Sequence, residues 1–132
     1  MKKVAIIGAG ISGLFIANLF KKNSNYQITI YEKSTSVNLE EGYGIQLSVN
    51  SIKLLNEIKF NEFQNDEKFT PHKINFYSNS SSNKICELNI SDFNSDNCKY
   101  TTLKRSVLIS FLKRDLKDKI KTGYSIAKID QL

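Results

Sequence analysis

The run Val4-Ala5-Ile6-Ile7-Gly8-Ala9-Gly10-Ile11-Ser12-Gly13-Leu14 constrains this chain more than any other stretch. Its glycines stand at G-x-G-x-x-G spacing, between a short β-branched run and a helix-like pattern. Each glycine has a physical task in such a turn. Gly8 permits a tight passage from strand to helix. Gly10, lacking a Cβ, lets the backbone approach a pyrophosphate. Gly13 lets the helix pack closely on the sheet. The first N–H groups of the helix, at Ile11, Ser12 and Gly13, then face a doubly negative ligand. A second apolar run, Ile28-Thr29-Ile30-Tyr31, ends at Glu32, about 20 residues on, where a carboxylate can accept hydrogen bonds from a ribose diol. The combination predicts an adenine-dinucleotide site. A ligand-free βα turn would show the glycines without the terminal acid.

Met1-Lys2-Lys3 followed by apolar residues up to Phe20 also has the outline of a secretory leader. Three glycines, Ser12 and Asn18 interrupt it, and no small-x-small site precedes Lys21. The stretch is too short and too broken by glycine for a transmembrane helix. Cys86 and Cys98 lack metal-ligand spacing and suggest free thiols in a reducing, cytoplasmic setting. His72 is the only histidine, so neither a histidine metal cluster nor a Ser-His-Asp triad can be built. The net charge of +6 comes from lysines scattered along the chain, not from a basic stripe with aromatics. That argues against a nucleic-acid partner.

The remaining pattern gives a coarse secondary structure. Strands are expected at Lys3 to Ile7 and Gln27 to Tyr31, with a helix from Ile11 to Lys22 between them. Its expected buried face is Ile11, Leu14, Phe15, Leu19 and Phe20. These three elements make a βαβ unit, the minimal half of a doubly wound sheet. A polar loop follows, then an extended piece at Ile45 to Leu47 and a helix from about Asn50 to Lys59, capped by Ser48 or Asn50. Lys73 to Ser78 and Lys84 to Ile90 read as an antiparallel hairpin around Asn79-Ser80-Ser81-Ser82-Asn83. Thr102 to Lys121 is expected to contain a helix with the stripe Leu108, Phe111, Leu112, Leu116 and Ile120. Gly123 then reads as its terminating glycine, and Tyr124 to Ile129 as a last strand.

With these residues placed, the chain resembles the N-terminal part of the single-component, FAD-dependent aromatic-hydroxylase-type monooxygenases. Three segments carry the likeness: the fingerprint from Val4 to Glu32, the segment Gly42-Tyr43-Gly44-Ile45-Gln46-Leu47-Ser48-Val49-Asn50-Ser51 running into Leu54-Leu55, and Arg105-Ser106-Val107-Leu108 with Leu112. The last is similar to the family's R-x-x-L-x-x-x-L helix start, whose arginine reaches FAD. There are departures. Lys33 stands where an arginine often follows the ribose-binding glutamate. Leu39-Glu40-Glu41 offers no arginine ahead of the glycine segment, and Val49 replaces a common proline.

The resemblance implies an α/β, Rossmann-like dinucleotide-binding fold, incomplete and carrying an inserted antiparallel hairpin. It implies one partial FAD-binding domain over 1–132. Residues 1–59 and 100–132 would form the Rossmann-like part, and 70–99 a hairpin belonging to a substrate-side sheet. Gly8, Gly10, Ile11, Ser12, Gly13, Glu32, Lys33 and Arg105 are the expected cofactor-binding residues. FAD would be the cofactor and NAD(P)H its transient reductant, in a reaction that inserts one oxygen atom into a small organic substrate. No catalytic residue and no metal ligand are nominated. The family's Gly-Asp signature and most of its substrate pocket fall outside this sequence, so the chain alone is not expected to be active. A complementing chain, or self-association through open sheet edges, is the expected partnership. Two alternatives remain open: another Rossmann-type oxidoreductase (NAD(P)-dependent or amine-oxidase-like) and a non-catalytic truncated remnant.

Overall fold

The computed structural model describes residues 1–37 and 43–130. The sequence features Leu39-Glu40-Glu41 and Gly42 lie outside the described residues. The chain forms two units, one from Met1–Tyr43 with Arg105–Leu132 and one from Gly44–Lys104. The second unit is therefore longer than the hairpin of 70–99. It takes in the extended piece at Ile45 and the helix that follows.

The first unit is α/β. Strand β1 (Lys2–Ile7), helix α1 (Ile11–Lys21) and strand β2 (Tyr26–Glu32) follow the sequence expectation closely. β1 and β2 pair in parallel, with Val4 opposite Ile28 and Ile6 opposite Ile30. These four side chains share one face, because alternate residues of a strand point the same way. Ile28 and Ile30 are buried there with Leu14 and Ala17 of α1. The buried face of α1 is thus narrower than its apolar content suggests: Leu19 and Ile16 stay exposed. Asn18 fills the gap instead, donating from Nδ2 to the carbonyls of Leu14 at 2.9 Å and Leu112 at 2.8 Å. The opposite face of the sheet carries Lys3, Ala5 and Ile7, all exposed.

The second unit holds three further pieces. Strand β3 (Gly44–Leu47) leads into helix α2 (Val49–Asn56), with Ser48 in extended conformation as the flanking residue. β4 (Lys73–Tyr77) and β5 (Lys84–Asn89) form the expected antiparallel hairpin. Ile52, Leu55, Ile58, Phe60, Ile90 and Leu103 make this unit's core. The hairpin adds little to it, since β5 is exposed along its whole length.

The span Thr102–Lys121 contains the expected helix, but a shorter one than its apolar stripe implies. Thr101–Lys104 is a strand, β6, paired antiparallel with β3, Ile45 opposite Leu103. Helix α3 occupies only Arg105–Lys113. The chain then tightens: the N–H of Leu116 bonds the carbonyl of Lys113, three residues back, and a 3-10 turn spans Lys117–Lys119. Ile120–Thr122 forms β7, which lies parallel to β2 with Ile30 opposite Ile120. Leu108, Phe111, Leu112 and Leu116 are buried as expected. Ile120 fits a helical stripe by spacing, yet it is used in the sheet.

Gly123 accordingly ends a strand, at φ +77, and not a helix. Its N–H and that of Tyr124 return to the carbonyls of Ser34 and Glu32. No regular strand covers Tyr124 to Ile129. Among the described residues the parallel sheet has the order β1-β2-β7, so β1 is an open edge.

Candidate functional site

The site grows from the C-terminal ends of β1 and β2, where a parallel sheet places its ligands. Gly8 follows β1 at φ +96, a conformation that side chains oppose. Its N–H donates to the carbonyl of Tyr31 at 2.8 Å, which ties the turn to β2. Gly13 lies in the first turn of α1. A Cβ there would collide with the carbonyl oxygen of Gly8 and press on Ile6. Gly10 differs: nothing lies within 4 Å of where its Cβ would stand. Neither internal packing nor φ demands glycine at position 10, so the absent side chain leaves an open approach for a ligand.

Gly10 is also the residue before α1, and it offers no side-chain cap. Helix geometry leaves the N–H groups of Ile11, Ser12 and Gly13 without an intrahelical acceptor. The first such bond in α1 runs from the N–H of Leu14 to the carbonyl of Gly10, 2.9 Å. Ser12 is exposed beside them. This end of the helix suits an anion.

Glu32 closes β2 against the same turn. Its Oε2 accepts the N–H of Ala9 at 2.8 Å, and its Oε1 accepts the N–H of Ser34 at 3.0 Å. The Ser34 N–H, then that of Ala9, holds the carboxyl below the ordinary glutamate range, against a smaller opposing effect of burial. Glu32 is therefore an anion at neutral pH, an acceptor and not a donor.

Arg105 is the first residue of α3. A cation at a helix N-terminus opposes the macrodipole. Its backbone N–H reaches the carbonyl of Tyr43 at 3.3 Å. Its side chain lines a cavity of about 160 Å³ together with Ala9, Gly10, Glu32, Ser34 and Ile109.

A second cavity, about 280 Å³, also has Glu32 in its lining. It is lined by Gly8, Tyr31, Lys33, Tyr124 and Ile126 among others. The Tyr31 and Tyr124 rings meet edge to face there, 5.8 Å apart. Each space is smaller than the ~300–1,000 Å³ usual for a whole small-molecule pocket. Each can take part of an elongated ligand, with Glu32 in the lining of both.

Of the eight residues nominated from sequence, Gly8, Gly10 and Glu32 gather around the turn, and Ile11, Ser12 and Gly13 open the helix above it. Arg105 joins them at the first cavity. Lys33 is exposed and borders the second cavity instead. Sequence reasoning missed Ala9, Ser34, Ile109 and Tyr124. Ile109, four residues after Arg105, could have been found from helical spacing. Tyr124 could not, because its position depends on β7.

The first unit has the Rossmann-like α/β arrangement expected from the sequence. Comparison with known proteins agrees on the fold. Residues 6–38 match the family described as "NAD(P)-binding Rossmann-like domain". No curated protein matches the sequence. Among solved structures, p-nitrophenol 4-monooxygenase PnpA from Pseudomonas putida is similar at a TM-score of 0.80 and 14% identity, over 99% of this chain and 35% of that one. The 2,6-dihydroxypyridine-3-hydroxylase from Arthrobacter nicotinovorans gives a TM-score of 0.73 and 15% identity, over 98% and 30%. HpxO from Klebsiella pneumoniae, complexed with FAD and uric acid, gives 0.69 and 20%, over 92% and 30%. The chain thus has the fold of FAD-containing monooxygenases and spans about a third of the length of the structures it matches.

Proposed function

We propose that the chain is the FAD-binding portion of a flavoprotein monooxygenase that uses NAD(P)H as reductant. The observation that carries this reading is the convergence of the open glycine at position 10, the ionised Glu32 and Arg105 on one cavity. Gly8, Gly10 and Gly13, with the N–H groups of Ile11 and Ser12, would cradle the pyrophosphate. Glu32 would accept hydrogen bonds from the hydroxyls of the adenosine ribose, and Lys33 would stand at its rim. Arg105 would supply its guanidinium to the cofactor. When bound, FAD would supply the redox chemistry with NAD(P)H and O₂, and the chain's own residues bind and orient it. Charge supports an anionic ligand. Acids and bases balance over 44–104, so the net +6 belongs to the first unit.

Oxygen insertion would require the parts that the longer structures carry beyond the matched third. The substrate would be a small organic molecule, and the two free thiols suit a cytoplasmic setting. No described helix is long and apolar enough to cross a membrane.

A second reading, an NAD(P)-dependent Rossmann enzyme, is favoured by the family matched over residues 6–38. The antiparallel pieces in 44–104, β3 with β6 and β4 with β5, count against a plain NAD domain, which would continue as βαβ. Titration of the purified chain with FAD, with NAD as competitor, tests the choice. Saturable flavin binding that NAD does not displace supports the monooxygenase reading. NAD binding without FAD binding overturns it.

A further inference from the structure

The Glu32 carboxylate is already engaged without any ligand. Both its oxygens accept backbone N–H groups, one from Ala9 in the glycine turn and one from Ser34 after β2. The same short segment anchors the chain beyond β7, because the Ser34 carbonyl accepts from Gly123 and the Glu32 carbonyl from Tyr124, each at 2.9 Å. Three separate stretches of chain therefore meet at residues 32–34.

We infer that Glu32 is a positioning residue: its carboxylate sets the glycine turn in its binding shape before a dinucleotide arrives. This adds to the ribose role above and rests on that reading only for its purpose, not for its test. Gly8 and Gly10 carry no side chains, so backbone contacts, N–H partners among them, set the shape of the turn. Ala9 points its N–H back at Glu32, which leaves the helix-start N–H groups directed at the ligand. A carboxylate serves both N–H donors at once, whereas a glutamine side chain offers one carbonyl oxygen.

Among the described residues, the charged and titratable groups around Glu32 are Lys33 beside it, Arg105 of α3 on the shared cavity, Lys121 of β7, Tyr31 and Tyr124. Glu32 is the one carboxylate among the described residues that line either cavity, so a step in the acid range at Ala9 reports it.

The test is amide NMR of the ligand-free chain, so it stands whether or not FAD binds. The Ala9 and Ser34 amide protons should shift on acidification with one shared midpoint, below the ordinary glutamate range. In Glu32→Gln that shared step should vanish, and exchange of at least one of the two amides should quicken roughly tenfold, as for a lost charge-assisted hydrogen bond. The Ile28 and Ile30 amides should keep their protection, which shows that the sheet is intact. An Ala9 amide that does not titrate, or protection unchanged at both positions in Glu32→Gln, overturns the inference. If the variant does not fold, the titration of the unsubstituted chain decides alone.

Discussion

The α-carbon of Gly13 lies against the carbonyl oxygen of Gly8, so close that a methyl group on Gly13 would strike it. Helix α1 and the turn that precedes it are thus packed backbone to backbone, and the site inherits its shape from that contact.

Gly13→Ala should destabilise the first unit by at least about 3 kcal/mol, the upper end of ordinary overpacking, because the atom struck belongs to backbone. Gly10→Ala should change stability by less than about 0.5 kcal/mol, since open space surrounds it. Urea unfolding of the two variants checks the contrast. Equal losses would contradict the division of labour between the two glycines.

Arg105→Ala should weaken FAD binding by roughly 10- to 100-fold, the worth of a charge-assisted hydrogen bond. Thermal melts of the same variant report separately what the substitution does to stability. Arg105→Lys should recover little, having lost the planar fork. Binding isotherms paired with thermal melts separate the two effects.

The Glu32 carboxyl is depressed in the folded chain, by the Ser34 N–H first and the Ala9 N–H second. The unfolded chain then binds a proton more readily, so this contribution is fully present above the unfolded value, about 4.3. It is lost as pH falls through the folded value. Melting temperature should drop on acidification through that window, and Glu32→Gln should drop less steeply.

Leu108 and Leu112 are completely buried in helix α3, which packs against α1. Leu112→Ala should cost about 2–5 kcal/mol by opening a cavity. Leu54→Ala, at an exposed position of α2, should cost under about 1 kcal/mol. Chemical denaturation measures both.

The βαβ unit was legible because its signals are local: β-branched strands, glycines at fixed spacing and an acid closing the second strand. The position of Glu32 at the end of the second strand was legible for the same reason, whereas Arg105 was nominated only through the family resemblance. The helix within Thr102–Lys121 was legible from its stripe, but the strands that flank it were not, because their pattern is ambiguous. Thr101 and Thr102 become strand only through pairing with β3, and Ile120 only through pairing with Ile30. Such partners lie far away along the chain, and no helical periodicity can reveal them. Tyr124 and Ser34 belong to the site for a similar reason, through hydrogen bonds that join three distant segments.

The measurement closest to the central claim is calorimetric titration of the chain and its Gly10→Val variant with FAD, each shown folded by circular dichroism. The account predicts saturable binding to the unsubstituted chain and loss of that binding in a folded Gly10→Val, whose side chain would occupy the approach to the turn. Absence of FAD binding by the folded, unsubstituted chain, or equal binding by both, would contradict it.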